Sequence, residues 1–299
     1  MFKRMLLVLL CLMMVVPALA EEASALLELT ARRGSFPKNQ RCDVYEGPRP
    51  EHRRAGSGKA VVSTNGEILV YGTWMGRMMI EYAIDDGRYR IGWIDTDQLP
   101  ASALEGVPEL PFPSSGFTED CTYGVVTGST GLCDDPLHSR AGTSMILPGT
   151  SVRVFAKHGS WYLVEGFIGE NLRMGFMPGT SLGLDRGFVR YTRYDIDQST
   201  RYSSRDIHAA FEAVALCIEE DWPGTTLAAL RYVEAESADP NAWWQDETGQ
   251  KEGILLFADL NSMELWDYEI AGYGVAKDYL FILYREPGGE WYVANWGYT

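Results

Sequence analysis

The sequence has little histidine and lacks two of the short motifs that mark common enzymes. Its 299 residues include four histidines, at positions 52, 138, 158 and 208. A catalytic zinc needs several histidine or acidic ligands that converge on one point, and histidines so far apart in the chain do not predict such a centre. The chain has no Gly-rich phosphate loop and no His-Glu-x-x-His pair. We therefore predict no metal and no cofactor.

Beyond its first twenty residues the chain has no apolar run long enough to span a membrane, which takes about 20 residues. The apolar run at 5–16 follows the basic residues Lys3 and Arg4. Small residues then precede two glutamates, an arrangement typical of a secretory signal cleaved after Ala20. The alternative is a membrane anchor, for which the run is short. We expect a mature protein without a membrane span that is secreted or associated with the cell wall.

The chain has fewer basic than acidic residues. The chain has 26 Lys and Arg against 41 Asp and Glu, which gives a formal net charge of −15. A protein this acidic repels nucleic acid and anionic membranes, because it offers little positive charge to replace their counterions. We therefore expect neither of these as a partner. Cationic or neutral partners stay open, although an acidic excess also serves solubility alone.

Four cysteines follow the predicted signal, at positions 42, 121, 133 and 217. In an oxidising compartment an even number can form disulfides, and four cysteines allow three pairings. We favour a disulfide between Cys121 and Cys133, because these two flank one Gly-rich loop. The alternative is that all four are small buried hydrophobic residues.

An internal repeat is the most informative feature of the sequence. One copy begins at Cys42-Asp43 and the other at Cys133-Asp134. Three apolar blocks then follow in the same order and at similar spacing, ILVYG, MMIEY and RIGWI in the first copy and VRVFA, YLVEG and RMGFM in the second. Blocks rich in β-branched and aromatic residues and bounded by Gly, Asn or Asp are typical of short strands. Each copy therefore predicts a compact all-β unit.

Both copies resemble bacterial SH3 (SH3b) domains. The second copy has LPGTSVRVFAKHGSWYLVE followed by GFMPGTSL, which is similar to the family's layout of strand, Gly-x-Trp, strand and Gly-aromatic-apolar. The first copy, from CDVYEGP to RIGWID, resembles a variant common in exported proteins of Gram-positive gut bacteria. The resemblance implies two SH3-like β-barrels in tandem, at 41–99 and 117–184.

The segments around these copies predict connections. A leader at 21–40 contains a helical-looking stretch at 23–32. A first linker at 100–116 has four prolines and few residues of buried type, which predicts a semi-extended spacer. A second linker occupies 185–201.

From residue 202 the apolar spacing becomes helical. Ser203 and Asp206 form a capping arrangement, and apolar residues then recur on one face at Ile207, Ala210, Phe211, Val214 and Ile218. Four strand candidates follow, and a Pro-Gly-Gly turn joins the last two. We predict an α+β domain at 202–299 with one helix packed on an antiparallel sheet. The fold class is thus mainly β plus α+β, with two SH3-like β-barrels followed by this domain.

The predicted arrangement of the C-terminal domain resembles cystatin-like or NTF2-like folds. Its closing run, REPGGEWYVANWGY, resembles the terminal hairpin of small exported Gram-positive modules, from which no function carries over. NTF2-like folds often hold a small molecule, so the resemblance implies a pocket that Trp243 and Trp244 would line. Alternatively, these tryptophans pack on the helix.

Bacterial SH3 domains often accompany cell-wall hydrolases, and a hydrolase would need catalytic groups in this chain. A cysteine peptidase needs a histidine that holds the proton of its nucleophile, but no histidine follows Cys217, the only cysteine of the C-terminal domain. Carboxylate pairs for glycoside cleavage could come from residues 219–221 or from Glu234 with Glu236. These residues fit solvated acidic faces better. We predict a protein that is not an enzyme.

The resemblance implies binding of cell-wall peptide or glycan through the SH3-like barrels. Aromatic residues in a barrel groove would stack on a sugar or hold a peptide. The candidates are Tyr45, Trp74, Trp93, Trp161, Tyr162 and Phe176. Trp93 and Phe176 each lie between a glycine and an aliphatic residue, so a core position is the alternative for both. The alternative functions are an extracellular protein-interaction scaffold without wall affinity and small-ligand binding by the C-terminal domain.

Overall fold

The structure, a computed structural model, describes residues 26–85, 87–113, 121–136, 144–184, 192–237 and 252–297. These residues form two β units and a C-terminal unit with one long helix on a sheet. The predicted combination of a mainly β fold with an α+β part is therefore confirmed. The predicted signal at 1–20 lies outside the described residues. Within the described ranges, no helix has the length and apolar character needed to cross a membrane.

The first unit follows a short strand, β1 (Leu27–Glu28). Its strands are β2 (Arg32–Arg33), β3 (Arg41–Asp43), β4 (Val61–Ser63), β5 (Ile68–Trp74), β6 (Arg77–Asp85) and β7 (Arg88–Asp95). Four of them form a sheet in the order β2-β5-β6-β7, and β3 pairs with β4 in a separate hairpin. The core of the unit includes Val44, Val62, Val70, Met78, Ile80 and Ile94.

The second unit repeats this plan. Its strands are β8 (Thr122–Val126), β9 (Thr130–Leu132), β10 (Ser144–Ile146), β11 (Ser151–His158), β12 (Trp161–Ile168), β13 (Asn171–Pro178) and β14 (Leu182–Leu184). The sheet order is β13-β12-β11-β8-β14, β1 joins it in parallel beside β11, and β9 pairs with β10. Its core includes Val126, Ile146, Val152, Val154, Val164 and Met177.

The two units share one strand register, which confirms that the repeated blocks are equivalent strands. Met79 pairs with Trp93 across β6 and β7, and Leu163 pairs with Phe176 across β12 and β13. Strands β5 and β11 also carry a one-residue bulge at the corresponding point. A bulge at the same place in two strands is a built feature of the fold.

The start of the repeat differs from the sequence prediction by three residues. Tyr45 forms the backbone bridge to Trp93, and Cys133 forms the same bridge to Phe176. Cys133 therefore corresponds to Tyr45 and not to Cys42, and the shared Cys-Asp letters are coincidental. The two copies are aligned by these backbone bridges, which cannot be read from the residue types.

A glycine in each unit lets the chain cross closely over the last strand of the repeat. A Cβ on Gly92 would lie 2.5 Å from Cγ1 of Val44, and one on Gly175 would lie 3.2 Å from Cβ of Leu132. This close approach explains the Gly before each aromatic residue in the repeated block. The crossings are single bridges, so among the described residues neither sheet closes into the continuous barrel that the sequence predicted.

The predicted leader and first linker are packed parts of the fold. The helix expected at 23–32 is wrong for its described portion, because β1 pairs with β11 and β2 pairs with β5. In the described part of the linker, α1 (Ala101–Leu104) is followed by a bridge between Glu109 and Thr73. Leu110 and Phe112 are buried. The helical pattern at 23–32 is too short to form a stable helix by itself. Strand pairing with the two units therefore outweighs it.

The C-terminal unit packs one helix across a five-stranded sheet in the order β15-β16-β17-β18-β19. Its elements are β15 (Arg193–Ile196), α2 (Ser204–Asp221), β16 (Thr226–Tyr232), α3 (Glu234–Ser237), β17 (Glu252–Asn261), α4 (Met263–Asp267), β18 (Val275–Arg285) and β19 (Tyr292–Gly297). The core between helix and sheet includes Phe211, Val214, Ile218, Leu230, Leu256 and Phe281.

The helix and its cap match the sequence prediction. The Ser203 side chain accepts from the Asp206 N–H, and the Asp206 side chain accepts from the Ser203 N–H, which completes a capping box. The five apolar residues predicted for one face are all buried. The unit begins before residue 202, however, because β15 lies in the predicted second linker and pairs in parallel with β16.

Candidate functional site

The two β units pack against each other through aromatic side chains. The ring of Trp74 lies 5.1 Å from that of Phe155 in the second unit and 6.4 Å from that of Trp93. Phe112, from the segment between the units, lies 5.4 Å from Trp74. Other members of this cluster are Met79, Ile91, Cys133, Leu163, Met174 and Phe176. Buried aromatic residues dominate the energetics of such interfaces.

The arginine that opens each repeated block reaches across this interface. Nε of Arg90 donates to Oδ2 of Asp134 at 2.6 Å, and the equivalent Arg173 pairs with Glu46. Asp134 and Glu46 are equivalent too, because each follows the residue that bridges to the block. The N–H of Ile91 donates to the Asp134 carbonyl oxygen at 2.7 Å. These paired contacts make the interface resemble that of a two-fold symmetric dimer, in which both partners use the same patch.

A groove of about 420 Å³ lies where these ion pairs meet. Trp93 and Phe176 belong to its apolar lining, and Ile84 and Tyr89, both 38% exposed, line it as well. Its charged residues include Glu46, Arg53, Arg88, Arg90, Asp134 and Arg173. Fixed charges of both signs favour a ligand that itself carries both charges.

Arginine side chains in the groove keep N–H donors available to such a ligand. Burial raises the pKa of Glu46, although Arg53 beside it acts in the opposite direction. Burial alone would lower the pKa of Arg90, but Asp134 more than offsets this and raises it. Arg53 and Arg88 are half-exposed, and each pairs with a carboxylate. A guanidinium has five N–H donors, so both arginines have more donors than these carboxylate pairs use.

The structure does not bring the six predicted aromatic residues together on an exposed surface. Trp93 and Phe176 are each 1% exposed, and Trp74 is 4% exposed. These three side chains are packed where the units meet, so they cannot offer a free ring face to a sugar. For Trp93 and Phe176 this is the core position that the sequence left open.

The other three predicted residues are also engaged in packing. Tyr45 lies beneath Arg77, whose guanidinium carbon is 3.7 Å from the ring centroid. Trp161 packs against the interface cluster. Tyr162 packs against the core of the second unit. The predicted residues of the C-terminal pocket, Trp243 and Trp244, lie outside the described residues.

The predicted disulfide is not present. Cys121 and Cys133 are both thiols, and they pack in different clusters. Cys133 is in the interface between the β units, whereas Cys121 is next to Tyr123 and close to the C-terminal unit. The proximity of two cysteines along the chain did not translate into proximity in the fold.

A buried cluster of charges joins all three units. Glu165, fully buried on β12, accepts from Nε of Arg49 at 3.2 Å and from Arg153 at 3.0 Å. Nε of Arg153 also donates to Asp267 of the C-terminal unit at 3.1 Å. The Tyr123 hydroxyl donates to the same carboxylate at 2.7 Å. We call these residues, together with His52, the junction cluster.

His52 has a fixed ring orientation in this cluster. Its Nδ1 accepts from the Arg49 N–H at 3.0 Å, which turns Nε2 toward Glu165. That atom lies 3.1 Å from Oε1 of Glu165. Burial alone would raise the pKa of Glu165, but His52, Arg49 and Arg153 more than offset this and lower it. Glu165 is therefore held ionised.

Sequence reasoning missed the junction cluster, although one signal for it was present. The repeat aligns Glu81 with Glu165, and a glutamate at the same point of two apolar blocks indicates a buried acid. Glu81 is buried as well and accepts from the Tyr71 hydroxyl at 2.6 Å. The partners of Glu165 could not be identified from the pattern, because Arg49 and His52 lie in the connection between β3 and β4.

The structure gives the surroundings of three groups with candidate catalytic chemistry, Cys217, Glu234 and Ser181. Burial, followed by the nearby Asp221, raises the pKa of Cys217 to about 12. A hydrogen bond from Tyr232, followed by bonds from Thr200, lowers the pKa of Glu234 to about 2, which suits a permanent anion better than a general acid. Residues 179–183 have Gly-x-Ser-x-Gly spacing, but Ser181 is in a 3-10 turn between β13 and β14 instead of a strand-to-helix turn.

The three described histidines lie in different parts of the structure. His52 is in the junction cluster, and His158 packs beside Tyr71 and Phe176. His208 lies one turn after the start of α2, and His138 is outside the described residues. In the part of the chain that the structure describes, no three His, Cys, Asp or Glu side chains are grouped to hold a metal ion.

Comparisons with known proteins do not assign the chain to a family. No family model and no curated protein matches it. A solved structure of NlpC1 from Trichomonas vaginalis matches 63% of this chain at 11% sequence identity. The chain covers 53% of that protein's length, and the TM-score is 0.20. A likeness this weak carries no argument about function.

Proposed function

We propose that this is an exported, non-catalytic binding protein whose two β units are paired domains of the bacterial SH3 type. The groove between the units would bind a cell-wall peptide. The observation that carries the proposal is the groove itself, which residues from both units line with charges of both signs. A short peptide carries an amine, a carboxylate and amide groups, so it complements such a lining.

A peptide is favoured over a glycan because of the aromatic residues. Sugar recognition by stacking needs an accessible ring face. Of the tryptophans predicted for this purpose, Trp74 and Trp93 are buried between the units, and the partly buried Trp161 packs against the same cluster. The half-exposed Arg53 and Arg88 suit a ligand carboxylate instead, since a guanidinium binds a carboxylate with paired N–H donors.

The position of Cys217 supports the non-catalytic part of the proposal. A thiol with a pKa of about 12 is almost entirely protonated at neutral pH, and the thiolate is the nucleophile. The nearest histidine along the chain, His208, contacts the Ser204 carbonyl oxygen with Nδ1 at 2.7 Å. It is about two and a half turns of helix from the thiol, too far to hold its proton.

An extracellular protein-interaction scaffold without wall affinity is the second candidate. Its support is that the three units already dock on one another through the interface aromatics and the junction cluster. In that case the fixed arrangement of the units would be the functional feature. The partner would be another extracellular protein.

The groove proposal is tested by removing two of its charges. In the double variant Arg53→Gln and Arg88→Gln, we expect affinity for a short synthetic peptide of Ala, Lys and Glu with free ends to fall about tenfold or more. Calorimetry measures this affinity, and co-sedimentation with purified peptidoglycan measures wall binding. The matched control is Arg193→Gln, an exposed arginine of the C-terminal unit that pairs with Asp195.

The possible results separate the candidates. Wild-type protein that binds neither peptide nor peptidoglycan contradicts the proposed function and favours the scaffold. Wild-type binding that the double variant retains in full contradicts the location of the site. If Arg193→Gln also loses binding, the loss in the double variant reflects the net charge of the protein and not the groove.

A further inference from the structure

A second groove, of about 800 Å³, lies on the first unit and meets the groove between the units. It is bordered on one side by Val61–Ser63 of β4 and on the other by residues of β6 and β7. Ile84, Tyr89 and Arg90 line both grooves. The two cavities are therefore neighbours that share one wall, which the tip of the β6–β7 hairpin provides.

The backbone of β4 has an open edge. Among the described residues β4 pairs only with β3. The bonds from Val44 N–H to Ala60 and from Thr64 N–H to Gln40, each 3.1 Å, lie on the β3 side. Backbone groups alternate in direction along an antiparallel strand, so the N–H groups of Val61 and Ser63 point away from β3. An open edge of this kind can accept an added strand.

The second groove also contains a buried hydroxyl whose proton lacks an acceptor. Tyr82 is 5% exposed, and no described residue accepts the proton of its hydroxyl. Arg90 is close to this hydroxyl, but a guanidinium can only donate, so the hydroxyl proton has no acceptor. Buried polar groups in folded proteins are nearly always satisfied, and a carbonyl oxygen of a bound peptide would satisfy this one.

We propose that the two grooves form one continuous track for an extended peptide. The peptide would add as a strand to the open edge of β4 and pass Ile84 and Tyr89 into the groove between the units. This inference rests on the proposed function and specifies its ligand as an extended chain. Ligand length is therefore the property to vary, because a compact ligand would fill only one groove.

The test compares a short and a long peptide of the same Ala, Lys and Glu composition. At about 3.3 Å per residue, about four residues extend to ~13 Å and about ten residues to ~33 Å. We expect the wild type to bind the long peptide at least about tenfold more tightly, because more backbone hydrogen bonds form. In Val61→Pro, which removes an outward N–H, the long peptide should bind no better than the short one. The matched control, Val61→Ile, keeps that N–H and should behave as wild type.

A second variant keeps the test decisive if proline disturbs the fold. Tyr82→Phe removes only the hydroxyl, and we expect it to weaken the long peptide about three- to tenfold and to leave the short peptide unchanged. Equal affinities of the two peptides for wild type would overturn the track and leave the proposed function standing, as would a Tyr82→Phe variant that binds the long peptide as tightly as wild type. If neither peptide binds wild type, the proposed function itself fails.

Discussion

Replacing Glu165 by glutamine should lower the free energy of unfolding by about 3–5 kcal/mol, because it removes a buried carboxylate that the buried Arg153 and the partly buried Arg49 share. Arg49 and Arg153 both bond to this carboxylate, which is fully buried. Glutamine keeps the volume, so a cavity cannot account for the loss. Urea denaturation followed by tryptophan fluorescence measures the effect. The matched control is Glu67→Gln, which breaks an exposed pair with Arg33 and should cost less than about 1 kcal/mol.

The same residue predicts a dependence of stability on pH. The pKa of Glu165 is lower in the folded protein than its ordinary value of about 4.3, so the unfolded chain binds the proton more readily. The stabilisation is complete above the unfolded pKa and is lost as pH falls through the folded one. Wild-type protein should therefore lose more stability than Glu165→Gln below about pH 4. Equal pH profiles, or a loss no larger than that of Glu67→Gln, would contradict the junction cluster.

Replacing Trp93 by alanine should cost about 3–5 kcal/mol of unfolding free energy. The side chain is 1% exposed and packs between the units, so its removal leaves a cavity at their interface. Trp296 is the matched control, because it is 41% exposed on the edge strand of the C-terminal unit. We expect Trp296→Ala to cost about 1 kcal/mol or less. Thermal and urea unfolding measure both variants.

The Trp93 result separates a packing role from a ligand-binding role. A tryptophan that served as an exposed platform for a ligand would cost little stability when removed and would change only binding. A cost for Trp93→Ala as small as that for Trp296→Ala would therefore contradict the interface described here. It would return Trp93 to the set of ligand-binding residues.

The sequence predicted the parts of the fold that depend on local patterns. The repeated blocks gave strands in the right order, because each block is a short apolar run bounded by turn residues. The helix from Ser204 to Asp221 was predicted together with its cap, since a capping box and an apolar face are local signals. The mainly β character and the helix-on-sheet unit followed from these.

The parts that the sequence could not predict depend on contacts between distant segments. Strand blocks that are apolar on both faces do not reveal that one face meets another unit, so Trp74 and Phe176 were assigned to a ligand groove. The strands β1, β2 and β15 are two to four residues long and gain their structure from pairing alone. The partners of Glu165 come from a different unit, and no local pattern identifies them.

Hydrogen exchange at the Ile91 amide tests most directly whether the repeats form one paired structure. This N–H donates to Asp134 of the second unit, whereas the Trp93 N–H, two residues later on the same strand edge, donates to Tyr45 within the first unit at 3.0 Å. If the units are paired, both amides should be protected to within about tenfold of each other. An Ile91 amide that exchanges as in an unfolded peptide, beside a protected Trp93 amide, would show that the units are not docked and would contradict the account.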